Sequence, residues 1–182
     1  GVIAAVKYMP SRERADLDAL YAAGGSDRVA LYLNYERQEE SGVYVDGQTY
    51  LPAAWVDANL NERFYWDANE KILVYALPEE IVKSDETTVD EDGKKILYRD
   101  GDAVYLSLAL IQKYTDVRLQ AYDGEAQKRV FVENNWDPVT VADAAWSAKI
   151  RLRGGLKSPI VTEIKRGGTV TVLEQYDNWA RV

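Results

Sequence analysis

The 182-residue chain contains no cysteine and no histidine. Without cysteine it can form no disulfide, no zinc–thiolate site and no cysteine nucleophile. Without histidine it lacks the Ser-His-Asp triad, the commonest general base and the usual ligand of transition metals. An enzyme made of these residues would have to rely on carboxylates, lysine or tyrosine. We therefore predict no metal site and no other cofactor.

Long apolar runs are also absent, although 47% of the residues are hydrophobic. No run approaches the ~18 apolar residues that a transmembrane helix needs, and no signal peptide is visible. The chain starts at Gly1 without an initiator Met. An upstream leader or anchor could have been removed, and membrane attachment is expected only through such an anchor. The hydrophobic content is ample for one domain or two small ones.

Charge is distributed unevenly along the chain. From Ala145 to Val182 there are seven basic and three acidic residues, whereas the preceding residues include 15 basic and 27 acidic ones, for a net charge of −8. A net negative charge argues against a nucleic-acid partner, because neutralising phosphates needs a basic face. The basic C-terminal part instead predicts an anionic partner.

Two segments of similar pattern occupy the middle of the chain, at about residues 44–78 and 96–132. In the first, Asp46-Gly47 predicts a tight hairpin turn, and Pro52 opens a short amphipathic helix. An aromatic strand is predicted at residues 64–66. The apolar run of residues 72–77 predicts a strand covered on both faces.

The second segment follows the first at an offset of 55 residues, as from Leu51 to Leu106. Ser107 takes the position of Pro52, and Leu110-Ile111 match Trp55-Val56. We interpret the pair as a duplication. Neither copy carries a nucleophile or base in an obvious setting, so both are interpreted as packing units. Core positions are expected for Trp55, Tyr65 and Trp66.

The remaining parts of the chain are shorter. Ser11 is a candidate helix N-cap, and Leu17, Leu20 and Tyr21 have the spacing of one buried helical side. Residues 1–26 are therefore predicted as an N-terminal helix or stalk. From residue 145 onward, short alternating strands between glycine turns are typical of a small barrel.

Two family resemblances add to these patterns. Residues 46–52, 64–67 and 71–75 are similar to the hairpin, the aromatic strand and the following strand of the copper amine oxidase N-terminal-like domain, a stalk module of bacterial exported proteins. That module is not known to carry copper or oxidase chemistry. The resemblance implies a duplicated domain over residues 27–138.

Residues 150–182 resemble the bacterial SH3-like domain, with Gly168, Val170, Val172, Trp179 and Val182 in typical places. The usual last strand is missing, so an incomplete barrel over residues 145–182 is expected. The predicted fold class is therefore α+β, with two β-hairpin, short-helix, β-hairpin repeats followed by a small SH3-like β-barrel.

The order of stalk repeats and SH3-like domain resembles the N-terminal region of clostridial surface proteins. In such proteins a glycoside hydrolase family 18 domain commonly follows, but its D-x-x-D-x-D-x-E run is absent from this chain. The resemblance implies an extracellular, cell-surface location in a Gram-positive bacterium. It also implies a non-catalytic segment that binds cell-wall polymer and positions a downstream glycosidase.

The residues themselves leave three hypotheses open. In the first, the C-terminal module binds peptidoglycan or an anionic wall glycopolymer, with five candidate ligand-binding residues: Arg151, Arg153, Lys157, Tyr176 and Trp179. In the second, the chain is a structural spacer or protein-interaction module, and Trp179 belongs to the core. The third, a carboxylate enzyme, is disfavoured because acidic pairs such as Glu79-Glu80 lie in polar connections. A monomer is expected.

Overall fold

The computed structural model describes residues 10–137 and 139–182. Met9, which precedes the predicted stalk helix, and Pro138, at a predicted domain boundary, lie outside the described residues. The described part divides into two compact units. One contains residues 10–20 and 137–182, and the other contains residues 21–136.

A seven-stranded sheet forms the larger unit. Its strands, in chain order, are β1 (Arg28–Leu33), β2 (Glu36–Val45), β3 (Gln48–Pro52), β7 (Leu97–Asp100), β8 (Ala103–Ser107), β9 (Arg118–Tyr122) and β10 (Lys128–Glu133). In space the order is β7-β8-β3-β2-β1-β10-β9. Neighbouring strands are antiparallel except β1 and β10, which are parallel.

A second sheet and two helices complete this unit. The sheet has three antiparallel strands, namely β4 (Phe64–Asp67), β5 (Ile72–Ala76) and β6 (Ile81–Ser84). The helices are α2 (Ala53–Asn59) and α3 (Leu108–Tyr114), and a single turn, α1 (Leu17–Leu20), lies in the other unit. One hydrophobic core joins these elements and includes Leu31, Leu51, Val56, Leu106 and Ile111, all without exposed surface.

The centre of the large sheet is a local two-fold arrangement. Strand β3 pairs with β8 so that Leu51 faces Leu106, Tyr50 faces Ser107 and Pro52 faces Tyr105. Because each residue of β3 has its counterpart 55 positions later in β8, this register is the same when the two strands are exchanged. We call residues 48–59 and 103–114 the strand–helix segments, since each comprises a five-residue strand followed directly by a seven-residue helix.

Local signals in the sequence account for the ends of these elements. Asp46 and Gly47 have φ angles of 48° and 77°, as a two-residue hairpin turn requires, so the predicted turn between β2 and β3 is confirmed. Ser107 caps helix α3, because its hydroxyl accepts a hydrogen bond from the Leu110 N–H at 3.1 Å. Pro52 stands in the same position before α2 without a side-chain cap.

The predicted α+β class, with its hairpin, helix, hairpin repeats and small barrel, is wrong. The chain is mostly β, with 45% of residues in strands and 10% in helices. The helices of residues 10–137 and 139–182 are one or two turns long. The two predicted repeats are not separate units either, because β9 and β10 join the large sheet whereas β4 and β5 pair with β6 in another sheet.

Several finer predictions also need correction. The run from residue 72 is buried on one face only, since Leu73 and Tyr75 are buried while Ile72 and Val74 are half-buried. The helix of residues 17–20 buries no residue. The core position predicted for Trp55 is confirmed, whereas Tyr65 is 63% exposed.

In its described residues, the smaller unit contains three separate two-stranded sheets and no closed barrel. They pair β11 (Thr140–Asp143) with β14 (Thr169–Val172), β12 (Ala148–Arg151) with β13 (Ile160–Ile164), and β15 (Glu174–Gln175) with β16 (Ala180–Arg181). No ladder links one pair to the next in the described part of the chain, so the predicted barrel does not close. Residues 11–15 run beside Ile160, with the Ile160 N–H donating to the Glu13 carbonyl oxygen.

Candidate functional site

The smaller unit contains a groove of about 660 Å³ between its strand pairs. Four of the five predicted ligand-binding residues line it: Arg151, Arg153, Tyr176 and Trp179. The fifth, Lys157, is exposed but is not among the lining residues. A groove of this volume is within the usual range for small-molecule sites.

Trp179 provides the largest aromatic surface of the groove. It is 37% exposed and lies in the loop between β15 and β16. Its carbonyl oxygen accepts a hydrogen bond from the Tyr176 N–H at 2.7 Å. Gly154 lies against the indole ring, since a Cβ at that residue would be 3.6 Å from the Trp179 Cγ. One part of the ring is therefore packed, and the other remains open to a ligand.

Tyr176 is held in place by a charged pair. Its hydroxyl donates to Glu174 Oε2 at 2.7 Å, and Arg181 Nε lies 3.2 Å from the same oxygen. The hydrogen bond to Glu174 raises the pKa of Tyr176, with smaller contributions from burial and from the charge of Glu174, while Arg181 opposes them. The phenol is therefore neutral at physiological pH, and its ring is oriented at the edge of the groove.

The two arginines have different environments. Arg151 is half-buried, and its Nη1 donates to the carbonyl oxygens of Ser158 at 2.7 Å and Ser11 at 2.9 Å. This guanidinium therefore ties backbone segments together. Arg153 is exposed, and its backbone N–H donates to Ser158 Oγ at 2.8 Å. Its side chain is thus the better placed of the two to contact a ligand.

The groove also contains residues that the sequence did not single out as ligand-binding. Its apolar lining includes Ile150, Leu152, Ile164 and Val170, and its charged lining includes Asp143 and Arg181. Lys149, one of the basic residues predicted to meet an anionic polymer, also lines the groove. Apolar and basic residues alternate at positions 149–153, yet both kinds line the groove, so this alternation did not predict which of them would face a ligand. No sequence pattern predicted Arg181 as a groove residue, because the β15–β16 pairing brings it to the groove.

Other exposed aromatic residues lie outside this groove. Trp146 is 75% exposed, and the Arg166 guanidinium lies 5.6 Å from its ring centre. In the larger unit, Trp136 is 52% exposed with Arg118 at 5.3 Å. Each tryptophan thus has a cation over one ring face, an interaction worth about 0.5–1 kcal/mol at an exposed site.

The described residues were also searched for metal and membrane features. Within residues 10–137 and 139–182, no cluster of three or more Asp and Glu side chains is arranged to hold a metal ion. No helix in that part of the chain has the length and apolar character to span a membrane.

No family model, curated protein or solved structure matches this chain at a level that would show a relationship. The resemblances to the stalk and SH3-like families therefore remain predictions.

Proposed function

We propose that the chain is a non-catalytic segment of a cell-surface protein, and that residues 139–182 bind an anionic cell-wall polymer. The observation that supports this most is the groove, where the open part of the Trp179 ring, the Tyr176 ring and the exposed Arg153 side chain lie together. Aromatic rings pack against the apolar faces of sugar rings, and guanidinium groups pair with phosphate or carboxylate.

The surrounding charge supports an anionic polymer over a neutral one. Lys149 and Arg181 line the groove together with Arg151 and Arg153, against a single lining acid, Asp143. Because exposed charges are screened beyond about 10 Å at 0.1 M salt, binding that depends on them weakens as salt is added. In this proposal the location is the surface of a Gram-positive bacterium, and the segment would position a downstream glycoside hydrolase family 18 domain.

The test is retention of the chain on purified Gram-positive cell wall, with and without its anionic glycopolymer, at low and moderate salt. Trp179→Ala and Arg153→Gln are expected to reduce retention by about tenfold or more, as central Trp and Arg contacts do at binding surfaces. Trp146→Ala and Lys165→Gln are the matched controls, because both residues are exposed and neither lines the groove.

Equal retention of the groove variants and their controls would contradict the proposal. So would equal retention on wall stripped of its anionic polymer. Circular dichroism of each variant separates loss of binding from loss of fold.

A structural spacer is the second candidate function, and one observation favours it. The two hydrogen bonds from Arg151 to backbone carbonyls hold residues 11 and 158 together, so this cation has a structural role. In a spacer, Arg151→Gln would lower the melting temperature while no groove variant changed retention on wall.

A further inference from the structure

The larger unit contains a cavity of about 430 Å³ that no part of the proposed function uses. It reaches the main hydrophobic core, because its lining includes the buried side chains of Phe64, Leu73, Tyr75, Ile96 and Leu110. Residues of β6, of the connection between β6 and β7, and of helix α3 form the remaining wall. The cavity is thus an apolar recess with an opening to solvent.

The two strand–helix segments differ at this place. Leu110 of α3 corresponds to Trp55 of α2, at the shared offset of 55 residues. Trp55 is only 3% exposed, and its Nε1 donates to Gln38 Oε1 at 3.2 Å. In the first segment a buried indole therefore occupies this helix position. In the other the smaller Leu110 stands at that position, and the cavity lies next to it.

The Tyr75 hydroxyl inside the recess is already paired. The Tyr75 hydroxyl donates to the Tyr114 carbonyl oxygen at 3.2 Å and accepts a hydrogen bond from Asn61 Nδ2 at 3.0 Å. The rings of Tyr75 and Tyr114 stack with centres 4.1 Å apart. A ligand inside the recess therefore meets ring faces and aliphatic carbons, and its charged group must remain at the opening.

Acidic residues predominate at the opening. Asp90, Glu91 and Asp92 are consecutive lining residues, opposed by Lys83 and Lys113. Asp90 Oδ1 accepts hydrogen bonds from the Asp92 and Lys94 N–H groups, which hold the acidic turn in place. The Lys113 ammonium lies 5.3 Å from the centre of the Tyr114 ring. The balance of charge at the opening favours a cation.

We propose that this cavity binds a small aromatic amine, with a ring system of about indole size in the recess and its ammonium group beside residues 90–92. The size follows from the indole that stands at the corresponding helix position of the other segment. The positive charge follows from the excess of carboxylates over ammonium groups at the opening. This site is independent of the wall-binding groove, since all its residues belong to the larger unit.

The experiment is calorimetric titration of the full chain with tryptamine, with indole-3-acetate as the oppositely charged probe of the same ring. Tryptamine is expected to bind about tenfold tighter or more than indole-3-acetate, because the carboxylates attract one probe and repel the other. Leu110→Trp would place an indole where Trp55 has one, and is expected to abolish tryptamine binding. Equal affinity for both probes, or unchanged binding by Leu110→Trp, would overturn the proposal.

A surface variant keeps the test informative if Leu110→Trp does not fold. The double variant Glu91→Gln, Asp92→Asn changes only exposed side chains and is expected to weaken tryptamine binding by about fivefold or more. Its matched control is Glu79→Gln, Glu80→Gln, a pair of exposed acids outside the cavity. An equal effect of the two double variants would refute a site at this opening.

Discussion

The two strand–helix segments have the same backbone arrangement and different surroundings. Residues 48–59 and 103–114 each form a five-residue strand and a seven-residue helix, and they meet where Leu51 pairs with Leu106. Beyond these segments the chain diverges, since β4 and β5 pair with β6 whereas β9 and β10 continue the large sheet. A shared local pattern therefore determines a shared local geometry, while the outer strands take whichever partner the rest of the fold provides.

The difference extends to side chains at corresponding positions. Trp55 of α2 is buried, whereas Leu110 at the corresponding position of α3 lines a cavity. Ser107 caps α3 with its hydroxyl, whereas Pro52 before α2 makes no side-chain cap. Similar backbones thus tolerate different packing, and each difference can be tested by changing one segment at a time.

The largest expected effect is at the centre of the pairing. Leu51→Ala and Leu106→Ala should each lower the free energy of unfolding by about 3–5 kcal/mol, because both side chains are fully buried and each truncation leaves a cavity. If the local two-fold arrangement governs packing, the two losses should agree within about 1 kcal/mol. Urea denaturation measures both, and a difference well above that would show that the surroundings outweigh the shared geometry.

Trp55→Leu should make the first segment resemble the second. We expect a loss of about 2–3 kcal/mol in unfolding free energy, since the buried ring is truncated and Gln38 Oε1 loses its indole donor. The control is Trp136→Leu, because Trp136 is 52% exposed, and its loss should stay below about 1 kcal/mol. Similar losses in the two variants would mean that Trp55 does not fill its space in solution.

Ser107→Ala should affect only the second helix. Removing an N-cap hydroxyl costs about 1 kcal/mol, and here the Leu110 N–H loses its acceptor. Amide hydrogen exchange is expected to accelerate at Leu110 and to remain unchanged at Trp55, the corresponding position of α2. Faster exchange at both positions would indicate a global rather than a capping effect.

The smallest effect concerns Tyr50, which corresponds to Tyr105 in the other segment. Burial raises the pKa of Tyr50, with further contributions from the charges of Asp46 and Asp90 and an opposing one from the hydrogen bond with Gln48. Because the folded pKa lies above the unfolded value, the stability that Tyr50 contributes is complete below about pH 10. That stability is lost as pH rises through the folded pKa.

In the Tyr50→Phe variant, the unfolding free energy should therefore decrease less steeply as the pH rises. Tyr105→Phe is the matched comparison, because its hydroxyl accepts a hydrogen bond from Arg28 Nη1 instead. The measurement is unfolding free energy between about pH 8 and pH 11, the range around the tyrosine pKa. An identical slope for Tyr50→Phe and the unchanged chain would disprove the role assigned to Tyr50.

The sequence predicted those features that depend on neighbouring residues. Asp46-Gly47 specifies its turn because both residues tolerate positive φ. The spacing of Trp55 and Val56, and of Leu110 and Ile111, indicates which side of each short helix is buried. In the candidate site, Arg151, Arg153, Tyr176 and Trp179 were identified from residue type and position, and the structure brings all four to one groove.

Other features depend on long-range pairing and could not be predicted in this way. The aromatic residues at positions 64–66 predict a strand, but they do not indicate which sheet that strand joins. The fold class was wrong for this reason, and the absence of a closed barrel has the same origin. Arg181 in the groove and the cavity beside Leu110 likewise depend on which strands meet.

By itself, then, the amino-acid sequence determined the Asp46-Gly47 turn, the buried sides of helices α2 and α3, the basic character of residues 145–182 and the chemistry that a chain without Cys and His cannot perform. Only the tertiary structure decided the pairing of Leu51 with Leu106, the partners of the outer strands, the groove and the cavity. The physical reason is that turn and helix signals act over a few residues through backbone sterics and hydrogen bonds. The unpaired backbone N–H and C=O groups at a sheet edge, in contrast, can bond to any strand that the rest of the fold places beside them.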